Sequence, residues 1–134
     1  MYKRQDESIF QQLKENDILF IDSSHTVRIG GDVNNLILDV IPFIKPGVIV
    51  HFHDICLPFE YPSVYYTNPA FRVFWTEAYL LQAFLCCNEE FEILLAMNHL
   101  QAKHMDKFCQ VFPHFDLNMN WGISSSFWIR RKVL

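Results

Sequence analysis

The stretch "GVIVHFHDICLPFEYP", residues 47–62, sets two histidines and an aspartate at the end of an apolar run. Val48 to Phe52 is short, strongly apolar and bounded by a "KPG" turn, which predicts a buried strand and not a helix. By strand alternation His51 shares a face with Ile49 and His53, while Val48, Val50 and Phe52 share the other. His51 is therefore expected as a core histidine with its hydrogen bonds satisfied. His53 and Asp54 fall where the strand ends.

Upstream, "DILFIDSSH" repeats that design. Ile18 to Ile21 forms a compact apolar run that ends in Asp22, with His25 three residues later. The chain opens on "QDESIFQQLKEND", an expected short amphipathic helix with Ile9, Phe10 and Leu13 on one side. Between the two strands, "SSHTVRIGGDVNN" reads as a loop with Asp32 as N-cap. "VNNLILDVIPFI" then carries Val33, Leu36, Ile37, Val40, Ile41 and Ile44 at helical spacing, with Pro42 bending its last turn.

Beyond residue 55 the pattern continues. Residues 56–74 are rich in Pro and Tyr and read as a long loop, of a length that often serves as a functional lid. Tyr61, Tyr65, Tyr66 and Trp75 are expected either as an aromatic wall for a substrate or as satellite core over the sheet end. "WTEAYLLQAFLCCN" predicts a helix, "FEILLAMN" a third strand, "QAKHMDKFCQVF" a helix or irregular excursion, and "SSSFWIRRKV" a fourth strand. Helices alternating with strands predict an α/β fold with a mainly parallel sheet.

Composition narrows the class. A chain of 134 residues, 51% hydrophobic with thirteen Phe and four Gly, is sized for one domain and excludes disorder. A net charge of −4 gives no attraction for phosphate backbones, so no nucleic-acid partner is expected. The basic cluster Arg130, Arg131 and Lys132 reads as a solvated strand end. Cys56, Cys86, Cys87 and Cys109 form no C-x-x-C pair, and Cys86–Cys87 in an apolar helical run read as buried thiols of a reducing compartment. No apolar run reaches the ~18 residues of a membrane span, and no secretory pattern is present, so a cytoplasmic protein with no membrane partner is expected.

In open parallel α/β sheets, ligands collect at the carboxyl ends of the strands. If the two apolar strands are neighbours, Asp22, His25, His53 and Asp54 converge there. Two aspartates would supply hard oxygen ligands for a divalent cation such as Mg²⁺, and a nearby His could complete the site or act as a base near neutral pH. The competing reading makes both aspartates caps of the following loop segments and His53 a hydrogen-bonded turn residue. His99, His104 and His114 match no H-E-x-x-H spacing and are expected at the surface. An H-x-H metallohydrolase built on His51 and His53 would need a full barrel of about 250 residues, which this chain cannot supply.

The combination "FIDSSH" and "VIVHFHDI" resembles the second half of class I S-adenosylmethionine-dependent methyltransferases, in the branch with D-x-x-H after the fourth strand and an HD pair after the fifth. "WTEAYLLQAFL", "FEILLAMN" and "SSFWIRR" are similar to that family's last helix and its sixth and seventh strands. The resemblance runs from about residue 8 to the end. It implies the C-terminal half of a Rossmann-like fold, with about four strands, one antiparallel closing strand and flanking helices. It also implies O-methyl transfer to a small-molecule or sugar hydroxyl, with Asp22 and Asp54 as metal ligands and His25 as the base. His53, the third candidate ligand, stands where related metal sites often carry an acid.

No G-x-G-x-G stretch that would cradle S-adenosylmethionine occurs anywhere in the sequence. The resemblance therefore implies one partial domain over 1–134, inactive alone; the alternative is a non-catalytic assembly or regulatory module. In the family's sheet order, 3-2-1-4-5-7-6, the strand at residues 17–21 would be left as an open apolar edge. Homo-oligomerisation through that edge is expected.

Overall fold

The computed structural model describes residues 7–71, 73–116 and 123–133. The opening helix is a 3-10 segment, Glu7–Gln12; Gln5 and Asp6, expected at its start, lie outside the described residues. Four strands follow: β1 (Ile18–Ile21), β2 (Ile49–Phe52), β3 (Phe91–Ala96) and β4 (Phe127–Arg131). Between β1 and β2, α1 (Asp32–Asn34) runs on as a π-helical segment, Asn35–Val40, and a 3-10 turn, Ile41–Phe43. The pitch tightens where Pro42 removes a backbone donor. The remaining helices are α2 (Val64–Thr67), α3 (Glu77–Leu85), α4 (Met97–Lys103) and α5 (Met105–Val111).

The sheet order is β1-β2-β4-β3. β1 and β2 pair in parallel, and β4 runs antiparallel to both β2 and β3. This is the mixed sheet of a Rossmann-like α/β fold, with the expected antiparallel strand inserted between two strands of the opposite direction. The stretch predicted as a helix or excursion forms two short helices. In α5, Phe108 is buried and packs on Phe112 and Phe115.

Alternation sorts the strands into two faces. Ile21, Val50, Phe52, Phe127 and Ile129 point into the core with Val33, Ile37, Ile41 and Leu81 from the helical segments. On the other face Ile18 and Phe20 are 53% and 55% exposed, and among the described residues β1 is an edge strand paired only with β2. His51 lies on this outer face and not in the core, which corrects the sequence expectation. Its ring stacks on Trp128 with centroids 4.0 Å apart, and its Nε2 is 2.7 Å from the Ser126 hydroxyl. A structural role stands, in a different setting.

Gly47 joins three elements at the start of β2. Its φ of +81° suits glycine, its N–H donates to the Arg131 carbonyl at 2.8 Å, and its carbonyl accepts from Asn16 at 3.0 Å. The chain passes so close to Glu15 here that a side chain on residue 47 would collide with it. At the far end of β4 the two arginines of the basic cluster are ion-paired: Arg130 meets Glu92 at 2.7 Å and Arg131 meets Glu90 at 2.8 Å. Among the described residues no helix is long and apolar enough to cross a membrane.

Candidate functional site

Parallel pairing of β1 and β2 in register, with Ile21 opposite Phe52, puts the residues after both strands at the same sheet end. The His53 N–H donates to the Ile21 carbonyl at 2.9 Å, which carries the pairing one residue past the strands. All four sequence candidates converge there. His25 Nε2 is 3.5 Å from Asp22 Oδ1 and 4.0 Å from Asp54 Oδ2. His53 Nδ1 is 3.2 Å from Asp54 Oδ2 and 3.8 Å from Asp22 Oδ1.

His25 and Asp54 both have positive φ, +54° and +58°. Such backbone costs about 1–3 kcal/mol per residue and persists where surrounding contacts hold it. Those contacts are present. The His25 N–H donates to the Ser23 hydroxyl at 2.9 Å, and the His25 carbonyl accepts from Thr76 at 2.8 Å and Glu77 at 3.1 Å. Asp54 Oδ1 accepts from the Ser125 hydroxyl at 2.9 Å, and the Ile55 N–H donates to the Ser125 carbonyl at 2.7 Å.

Glu77, in the first turn of α3, is the residue that sequence reasoning missed. It is only 1% exposed, and its Oε2 lies 2.8 Å from His25 Nδ1 while accepting from the Ser23 hydroxyl at 2.7 Å. Its Oε1 has no hydrogen-bond partner among the described residues. In sequence an acid in a first helical turn signals only compensation of the helix dipole. Nothing in "WTEAYLL" marks it as reaching back some fifty residues.

The imidazole of His25 is buried at 6% exposure against the Trp75 ring, with centroids 4.3 Å apart. Burial opposes its charged form, but the Glu77 hydrogen bond and the charges of Glu77, Asp54 and Asp22 outweigh this and raise its pKa above the ordinary value. On the outer face, burial and the neighbouring His53 lower the pKa of His51. His25 at the strand ends and His51 on the outer face are thus tuned in opposite directions.

Asp22, His53 and Asp54 were expected as divalent-cation ligands. Among the described residues no group of three or more His, Cys, Asp or Glu side chains is disposed to hold a metal ion. Imidazole nitrogens stand between the two carboxylates, and Asp54 Oδ1 is engaged by Ser125. The arrangement gives a divalent cation no support; the four side chains sit at ion-pair distances, with His25 hydrogen-bonded to Glu77 and Asp54 to Ser125.

Of the aromatic residues Tyr61 joins the core, whereas Tyr66 is exposed. Tyr61 is buried, and its hydroxyl accepts from the Ala78 N–H at 3.0 Å. Together with Tyr65, Tyr66, Trp75 and Tyr79 it also lines a recess of about 250 Å³. Trp75 forms the shared wall between that recess and His25. His99, His104 and His114 are exposed, as expected.

A family model described as a methyltransferase domain matches residues 2–55. That span holds β1, β2, Asp22, His25, His53 and Asp54, and makes the N-terminal region of the chain methyltransferase-like. No curated protein and no solved structure matches the chain.

Proposed function

We propose that this sheet end is the acceptor side of an S-adenosylmethionine-dependent O-methyltransferase, in which His25 takes the proton from a small-molecule or sugar hydroxyl. The observation that carries this is the His25–Glu77 contact. A carboxylate on Nδ1 holds that nitrogen as the N–H, which leaves the Nε2 lone pair facing the strand ends. An acceptor O–H placed there donates to Nε2 and passes its proton to the ring as the oxygen attacks a methyl carbon. Asp22 and Asp54, at 3.5 and 4.0 Å, stabilise the imidazolium that results.

S-adenosylmethionine supplies the electrophilic methyl on its sulfonium. The sequence contains no G-x-G-x-G cradle for it, so the cofactor's methionine and ribose ends would be held by structure outside these four strands. The recess beside Trp75 supports an acceptor carrying a ring that packs on aromatic faces.

The test uses methyl-labelled S-adenosylmethionine at high concentration with a panel of phenols and sugars, alongside calorimetric titration of the cofactor. Without a G-x-G-x-G cradle this chain should transfer label to a hydroxyl only slowly and only at high cofactor concentration, and His25→Gln should slow that transfer by about 10²–10⁴-fold while His51→Gln leaves it unchanged. Transfer insensitive to His25→Gln would overturn the assignment of the base. Tight cofactor binding by this chain would overturn the view that the cradle lies elsewhere. No cofactor binding and no transfer under any condition would favour a non-catalytic assembly or regulatory module.

A further inference from the structure

Cys86 and Cys87 close α3 and begin the turn into β3. Both are exposed, in contrast to the buried thiols the sequence suggested, and their sulfurs lie 4.0 Å apart in mutual hydrogen-bond contact. The helix stops here because Cys86 leaves helical geometry at ψ 120° while its N–H still donates to the Gln82 carbonyl at 3.0 Å. Cys87 then takes φ +59°, a conformation few non-glycine residues adopt, and turns the chain toward β3. The corner points both side chains to solvent. Cys86 also lines an apolar groove of about 480 Å³, together with Leu57, Leu85, Ile93, Ala96 and Phe127.

We propose that Cys86–Cys87 is a reversible vicinal-dithiol modification site, oxidised by low-molecular-weight disulfides of the glutathione type. One protein thiolate attacks a sulfur of the oxidant, forming a mixed disulfide and releasing the first small thiolate. The neighbouring thiol loses its proton and attacks the protein-bound sulfur, which forms the Cys86–Cys87 bond and releases the second small thiol. The net change turns two protein thiols into one disulfide and one small disulfide into two thiols.

Geometry makes this bridge labile. Consecutive Cα atoms are about 3.8 Å apart, less than the roughly 4.4–6.8 Å usual across a disulfide. Strained, exposed disulfides have the higher reduction potentials and are those that form and break reversibly. The sulfurs need to approach by about 2 Å to reach bonding distance, which rotation of two exposed side chains supplies. The bridge would fix the α3–β3 corner. The two remaining thiols serve as controls: Cys56 is buried, with burial and the Asp54 charge pushing it up to about 11, and Cys109 is exposed on α5.

The test is oxidation of the whole chain with glutathione disulfide at about pH 8.5, near the ordinary thiol pKa, read by intact mass and peptide mapping. The expected product has lost two hydrogens within the peptide that contains Cys86 and Cys87, and dithiothreitol restores it. Cys86→Ser should leave a stable glutathione adduct on Cys87 instead, and Cys109→Ser should oxidise like the parent. Separate, stable glutathione adducts on both residues of the parent chain, or a bridge to Cys109 or to a second chain, would overturn the proposal.

Discussion

His25 and Glu77 are joined twice: His25 Nδ1 lies 2.8 Å from Glu77 Oε2, and the His25 carbonyl accepts the Glu77 N–H at 3.1 Å. One bond orients the ring and the other caps α3 with the loop that carries it. Removing the carboxylate should therefore disorient the base without dissolving the sheet. Glu77→Gln is expected to slow methyl transfer by about 10²–10⁴-fold, with a larger effect on kcat than on acceptor KM. An unchanged kcat would deny Glu77 its positioning role.

Asp32 ties the loop after β1 to the start of α1. Its carboxylate accepts from both the N–H (2.8 Å) and the hydroxyl of Ser24. Burial alone would push its pKa up, but these bonds outweigh it and hold the carboxyl below its ordinary value of 3.8. The folded-state pKa lies below the unfolded one, so the stabilisation is full above the unfolded pKa and lost as pH falls through the folded value. Asp32→Ala should cost about 1 kcal/mol at neutral pH, and the Tm difference from the parent should shrink below pH 4. A difference that stays constant from pH 7 to about pH 3 would contradict this reading.

Gly47→Ala should destabilise the fold by about 2–4 kcal/mol, through left-handed backbone and the collision with Glu15. Urea unfolding measures it. A cost below about 0.5 kcal/mol would show that Glu15 moves aside freely.

The β1 edge predicts association. Ile18 and Phe20 are more than half exposed on a strand paired on one side only, among the described residues. Light scattering at micromolar concentration should give a mass above that of one chain, and Phe20→Lys should lower it. A monomeric parent would remove the edge as an association surface.

Much of the fold was legible because its signals are local. Four short apolar runs bounded by turns gave four strands, and the paired endings after Ile21 and Phe52 placed Asp22, His25, His53 and Asp54 together. His51 was misplaced for the opposite reason: alternation names two faces without saying which one helices cover. Cys86 and Cys87 were misread because an apolar run fixes a helix but not where it stops, and α3 ends at Leu85. Glu77 was invisible because its partner comes from a loop more than fifty residues away, a distance that no helical or strand period spans.

Base catalysis by His25 depends on its orientation by Glu77, and the tautomer of its ring tests this most directly. Long-range proton–nitrogen NMR of ring-labelled protein at about pH 9, where an imidazole is neutral, distinguishes the two nitrogens. The prediction is a protonated Nδ1 and an unprotonated Nε2 at His25. A proton found on Nε2 would contradict the account, because no lone pair would then face the acceptor.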